Sequence, residues 1–89
     1  MSFTRHAEAR LQQRAIPPIL VELLERHGSE IRSGGADLLF FDKAARKRLK
    51  HYLGRSFRFF ETYLDAYVVI NDQGSVVTAG RRSRRINRP

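Results

Sequence analysis

The chain has no cysteine. That absence excludes a disulfide framework and any zinc site built on thiolates, and it makes a reducing compartment compatible with every residue present. Long apolar runs are missing too. The opening MSFTRHAEAR lacks the hydrophobic segment of a secretory signal, and no later stretch approaches the length of a membrane span. A soluble cytoplasmic protein with no membrane attachment is expected. Acid is the third scarcity: 17 Lys and Arg face 9 Asp and Glu, for a net charge of +8. Two blocks carry no acid at all, 43–50 (KAARKRLK) and 81–89 (RRSRRINRP), and each holds five basic residues. The remainder is close to neutral, so the positive field has two sources that a fold can bring together. Blocks of this kind are the electrostatic footprint of a polyanion such as RNA or DNA, or of an acidic protein. The competing reading is a solvated helix face followed by a solubilising tail.

With 89 residues, 42% of them hydrophobic, the chain suffices for one core and not for two. A single domain over residues 1–80 is expected, with 81–89 as a basic tail. Thr4 suits the N-cap of a helix running to about Gln13, which Ile16-Pro17-Pro18 interrupts because a residue before proline is pushed out of the helical region. Pro18 then suits the first turn of a second helix, in which Ile19, Leu20, Leu23 and Leu24 form an apolar arc and Gly28 closes the end. His27, at that end, is placed to cap the last carbonyls.

Two short strands should flank Ser33-Gly34-Gly35-Ala36, where paired glycines supply the positive φ values of a tight hairpin. Asp42 can cap a third helix with Ala45, Leu49, Tyr52 and Leu53 on one face and Lys43, Arg46, Lys47 and Lys50 on the other, ending at Gly54. Residues 55–65 fit a helical stripe (Phe57, Phe60, Leu64) and an aromatic strand equally well. A final hairpin, 66–70 and 75–79, flanks Asn71-Asp72-Gln73-Gly74. The expected fold class is α+β, a small antiparallel sheet with helices packed on one face.

The first helix carries an unusual series. At about 100° per residue, His6, Arg10 and Gln13 fall within roughly 60° of one another, with Arg14 leaning toward the apolar side marked by Phe3, Ala7 and Leu11. This stripe borders the buried face. RHAEARLQQRAIP, followed at the far end by YVVINDQGSVVTAGRR, resembles the RelE/ParE-like toxin superfamily, in particular a branch of small domains that open with a His-Ala-x-x-Arg helix and close on a V-x-T strand, related to the BrnT toxins. The matching positions are His6, Ala7, Arg10, Arg14 and Ile16, with Val77-Thr78 at the other end. The resemblance implies a RelE-like fold, a cognate antitoxin as partner, and RNA cleavage on the ribosome or free of it, although the ParE branch acts on DNA gyrase. The arginine tail departs from the pattern by its length.

Metal-independent RNA cleavage requires a base for the ribose 2′-OH, cations for the phosphorane charge and an acid for the departing oxygen. His6 is the candidate base, and Arg10 and Arg14 are the candidate phosphate clamps, with Arg81 or Arg82 joining from the last strand. The structural alternative for His6 is a bond to a backbone carbonyl at the core edge; for Arg10 and Arg14 it is ion pairing with Glu8 or with acids of the second helix. His51, on the edge of the third helix beside Lys47, is a lesser candidate for phosphate contact or general acid. Phe57, Phe59, Phe60, Tyr63 and Tyr67 offer base stacking if exposed and core packing otherwise. No metal or other cofactor is expected, since no two histidines share a helical turn.

Two classes of function follow. One is a toxin-like endoribonuclease using His6, Arg10 and Arg14. The other is a non-catalytic module that binds nucleic acid or a protein partner through Lys43, Arg46, Lys47, Lys50, Arg81, Arg82, Arg84 and Arg85. Convergence of His6 and the arginines on one cleft would favour the first.

Overall fold

The computed structural model describes residues 2–82. Five strands, β1 (Ser2–Phe3), β2 (Ser29–Ser33), β3 (Ala36–Phe40), β4 (Ala66–Asn71) and β5 (Ser75–Arg81), form one sheet in the order β1-β5-β4-β3-β2. Three helices, α1 (Arg5–Gln13), α2 (Ile19–His27) and α3 (Lys43–Leu53), complete an α+β fold. The expected pairing of the last hairpin with β3 is present and antiparallel. The sheet is nevertheless mixed, because β1 pairs parallel to β5 through Ser2 and Phe3. Two residues lie below the length at which alternation reveals a strand.

Across the sheet, Leu39, Val68 and Ala79 stand in register, and with Val76 they join Ala7 and Leu11 of α1, Leu20, Val21 and Leu24 of α2, and Ala45 and Leu49 of α3 in one buried cluster. The helices therefore cover one face. The other face carries Leu38, Val69 and Thr78 in one row and Phe40, Tyr67 and Gly80 in the next. Phe40 is buried there outside the main cluster, and Tyr67 lies across Gly80 so closely that a Cβ at that position would meet its hydroxyl at 2.7 Å.

The helix caps follow the expectations at Thr4 and Asp42, whose side chains accept from the amides of Ala7 and Ala45. Residues 55–65 are neither strand nor α-helix: two 3₁₀ turns, Gly54–Phe59 and Glu61–Tyr63, pack Phe57, Phe60 and Tyr63 against the core and leave Phe59 exposed. Four expectations are corrected. Ile19 is 45% and Tyr52 58% exposed, although both were placed on buried faces; Ile19 is the first residue of its helix, and Tyr52 turns outward to pack its ring against His27 at 4.4 Å between centroids. The His27 ring bonds none of the last carbonyls of α2, since its Nε2 is buried without a hydrogen-bond partner among the described residues. Strand β5 also runs two residues past Ala79, so Arg81 belongs to the sheet, and the amide of Arg82 still donates to the carbonyl of Asp65 at 2.9 Å.

Helix α1 ends on a reversal that glycine usually makes. Ala15 adopts φ 52°, the amide of Ile16 donates to the Leu11 carbonyl at 2.9 Å, and Ile16 and Leu11 are both buried. This is the six-to-one bond and hydrophobic contact of a Schellman C-cap, with a Cβ where it is sterically opposed. Ala15→Gly should therefore stabilise the protein, by about 0.5–1 kcal/mol after the added freedom of the unfolded glycine is deducted. Thermal or urea unfolding checks this, and a lower midpoint would contradict it.

Candidate nucleic-acid interface

The α1 stripe meets the outer edge of β5. Beyond Val76, strand β1 no longer covers that edge, and α1 supplies what a neighbouring strand would. The amide of Thr4 donates to Val76 O at 3.0 Å, the Thr4 hydroxyl to Val77 O at 3.3 Å, and Arg10 Nε to Ala79 O at 3.1 Å. Val77 is the extra residue of a bulge, since Ile70 pairs with Val76 and Val69 with Thr78. Its carbonyl is unpaired within the ladder until Thr4 takes it. His6 Nε2 sits 3.2 Å from Thr78 Oγ1. Because Thr78 belongs to the helix-free face, the exposed imidazole reaches round the edge of the sheet.

Of the three candidate catalytic residues, the structure brings His6 and Arg10 together along β5 and leaves Arg14 apart. Arg14 is exposed and its side chain makes no hydrogen bond or ion pair among the described residues. Neither Arg10 nor Arg14 pairs with Glu8 or with an acid of α2. Arg10 satisfies a strand carbonyl instead. A cleft lined by apolar residues, with a cavity volume of about 500 Å³, lies beside α1 between Phe3, Leu11, Ile16 and Pro17, with Glu8 and Gln12 at its wall and none of His6, Arg10 and Arg14 lining it.

The basic face expected on α3 is present. Lys43, Arg46, Lys47 and Lys50 are all exposed, while Ala45 and Leu49 anchor the opposite side in the core. Arg48, also exposed, is tied down by bonds from Nε to His27 O at 3.1 Å and from Nη2 to Ser29 Oγ at 3.2 Å. His51 is exposed near the end of the helix, and no group of histidines and acids among the described residues could hold a metal.

The last strand joins this face to the sheet. Arg82 Nη2 donates to Phe41 O, and Arg46 Nε donates to the same carbonyl at 3.4 Å. Two guanidinium groups thus share one oxygen at the start of α3. Arg82 lies over the Phe40 ring at 5.8 Å, and burial first, then the charge of Arg46, holds its pKa below the ordinary arginine value, with Asp65 and Asp42 opposing. Arg81, one residue earlier, points to the helical side. Its guanidinium pairs with Asp65 at 3.0 Å, donates to Thr62 O and stacks on Tyr63 at 5.6 Å. Arg84 and Arg85 lie outside the described residues.

Sequence reasoning missed Asp65 as the counterion of Arg81 and Thr78 as the partner of His6. Both depend on the register of the last hairpin. With the bulge at Val77, Ala66 falls opposite Arg81, which brings Asp65 beside it. Comparison of the chain with protein-family models, with curated proteins and with known structures finds no match.

Arg10→Ala should lower stability by about 1 kcal/mol, the usual consequence of leaving a partly buried carbonyl without its donor. His6→Ala, at an exposed position, should change it by less than about 0.5 kcal/mol. Equal effects of the two in urea unfolding would contradict the edge-capping role of Arg10.

Proposed function

We propose that the protein binds the phosphate backbone of RNA or DNA through the basic face of α3, extended by Arg82. The observation that carries this reading is the meeting of Arg46 and Arg82 at the Phe41 carbonyl, which sets the two acid-free blocks of the sequence side by side. Lys43, Lys47 and Lys50 continue the surface over about 10 Å of helix, close to three phosphate steps along one strand of a duplex. An anion at Arg46 and Arg82 relieves the repulsion between two neighbouring cations and accepts forked hydrogen bonds. Tyr52 and Phe59 supply exposed rings for stacking on unpaired bases. Arg81, neutralised by Asp65, contributes to the fold in this reading and little to binding.

A second reading, the toxin-like endoribonuclease with a RelE-like fold and a cognate antitoxin, is favoured by one observation. The His6 imidazole is exposed at the rim of the helix-free sheet face with the Thr78 hydroxyl beside it and Arg10 one turn away. There His6 would take the 2′-OH proton as the 2′ oxygen attacks phosphorus, Arg10 would meet the phosphate with its remaining N–H groups, and water would protonate the departing 5′ oxygen.

Fluorescence anisotropy with single-stranded RNA over a salt series tests both. Lys43→Gln with Lys47→Gln should weaken binding and make the slope of log affinity against log salt shallower by about 1.4, two contacts at roughly 0.7 each. Arg81→Ala should leave the slope unchanged. An unchanged slope in the lysine variant would remove α3 from the interface. Under the second reading the wild type cuts the RNA, alone or with ribosomes, and His6→Ala reduces cleavage by about a hundredfold to ten-thousandfold with affinity retained.

A further inference from the structure

The two edges of the sheet are treated differently. On one side β5 is closed by β1, Thr4 and Arg10. On the other, β2 pairs among the described residues only with β3, and its sequence Ser-Glu-Ile-Arg-Ser has no proline, no lysine and no bulge in its five-residue ladder, its charges being one acid and one base, Glu30 and Arg32. We infer that β2 is a self-complementary edge through which two copies of the chain join antiparallel about a two-fold axis at Ile31, giving one continuous ten-stranded sheet. This rests on the edge alone and is independent of the nucleic-acid reading.

The backbone sets the register. Gly34 and Gly35 have φ 56° and 78°, the positive pair of a type I′ turn, and they join Ser33 to Ala36. Such a turn closes on a hydrogen-bonded pair, so Ser33, Ile31 and Ser29 direct their amides and carbonyls inward to β3. Alternation then directs the amides and carbonyls of Glu30 and Arg32 outward. A symmetric antiparallel partner must bond through those two residues, and three centres satisfy that. Centring on Glu30 or on Arg32 sets like charges opposite each other. Centring on Ile31 sets Glu30 opposite Arg32 of the partner subunit on both sides of the axis, each pair exchanging two backbone bonds.

The side chains agree with that centre. Glu30 is exposed and makes no ion pair or hydrogen bond among the described residues. Arg32 is oriented by Asp37 at 3.1 Å and by Asp72, both on its own chain, with Nε left over. The edge thus carries Glu30 close to Asp37 and Asp72 in a strongly basic chain, and Arg48 of the first basic block reaches only its start, at Ser29. Ile31 stands in register with Leu38 and Val69 on the helix-free face, and a second copy continues that apolar row across the axis. The contact is small, which places it in the weak, concentration-dependent class.

Sedimentation equilibrium of the full chain from about 10 µM to about 1 mM reads the association directly. The wild type should shift toward dimer mass over this range. Glu30→Pro removes an outward amide without touching the β3 ladder, and Glu30→Arg sets cations opposite each other. Each should weaken dimerisation at least about tenfold while far-UV circular dichroism stays native. Glu30→Arg mixed with Arg32→Glu should associate as a heterodimer, although neither does so alone. A wild type that stays monomeric at the highest concentration, a Glu30→Pro variant that dimerises undiminished, or a mixture that fails to associate would each overturn the inference.

Discussion

A five-stranded sheet has two edges, and every amide and carbonyl along them must find a partner or remain in water. In this protein β1 covers the edge of β5 only as far as Val76 while the strand continues to Arg81. Helix α1 answers that need with two residues: Thr4 at its cap, and Arg10 within it, take the carbonyls of Val76, Val77 and Ala79. The same contacts hold the helix over the sheet, so that Ala7 and Leu11 enter the core. The His6 and Arg10 part of the polar stripe is thereby accounted for, and Arg14 stands outside it. That part is a seam between helix and strand, in which His6 sits beside the Thr78 hydroxyl.

The charge follows from the same arrangement. With Arg10 spent on the sheet edge and Arg81 on Asp65, the exposed Lys43, Arg46, Lys47 and Lys50 share one helix, and Arg82 joins them because the strand carries it back to the end of β3. Alternation along β5 decides this division. Arg81 faces the helical side and meets an acid; Arg82 faces the other side, lies over Phe40 and meets Arg46. Two adjacent arginines in sequence thus have opposite roles.

Much of this was legible in the sequence wherever a local rule acts alone. Thr4 and Asp42 cap as their residue types require, the paired glycines make the hairpin, and the α3 face follows from helical spacing. What escaped was set by tertiary geometry. The bulge at Val77 shifts the register of β5 by one and chooses which arginine meets Asp65. Strand β1 is two residues long, and residues 54–63 make 3₁₀ turns whose three-residue period imitates a helical stripe while their aromatic residues imitate a strand. The His6 to Arg10 spacing places the two on one helix face, but no pattern in one segment reveals that their partners are the Thr78 hydroxyl and the Ala79 carbonyl, about seventy positions away.

The claim that the stripe serves the sheet while the exposed charge serves a polyanion is tested most directly by following backbone amide resonances of the isotopically labelled protein during titration with a short single-stranded RNA. The account requires that the resonances that move be those of 43–50 and of Arg82, with the amides of His6, Arg10 and Thr78 left in place. Shifts centred on His6, Arg10 and Thr78, with α3 unmoved, would contradict it.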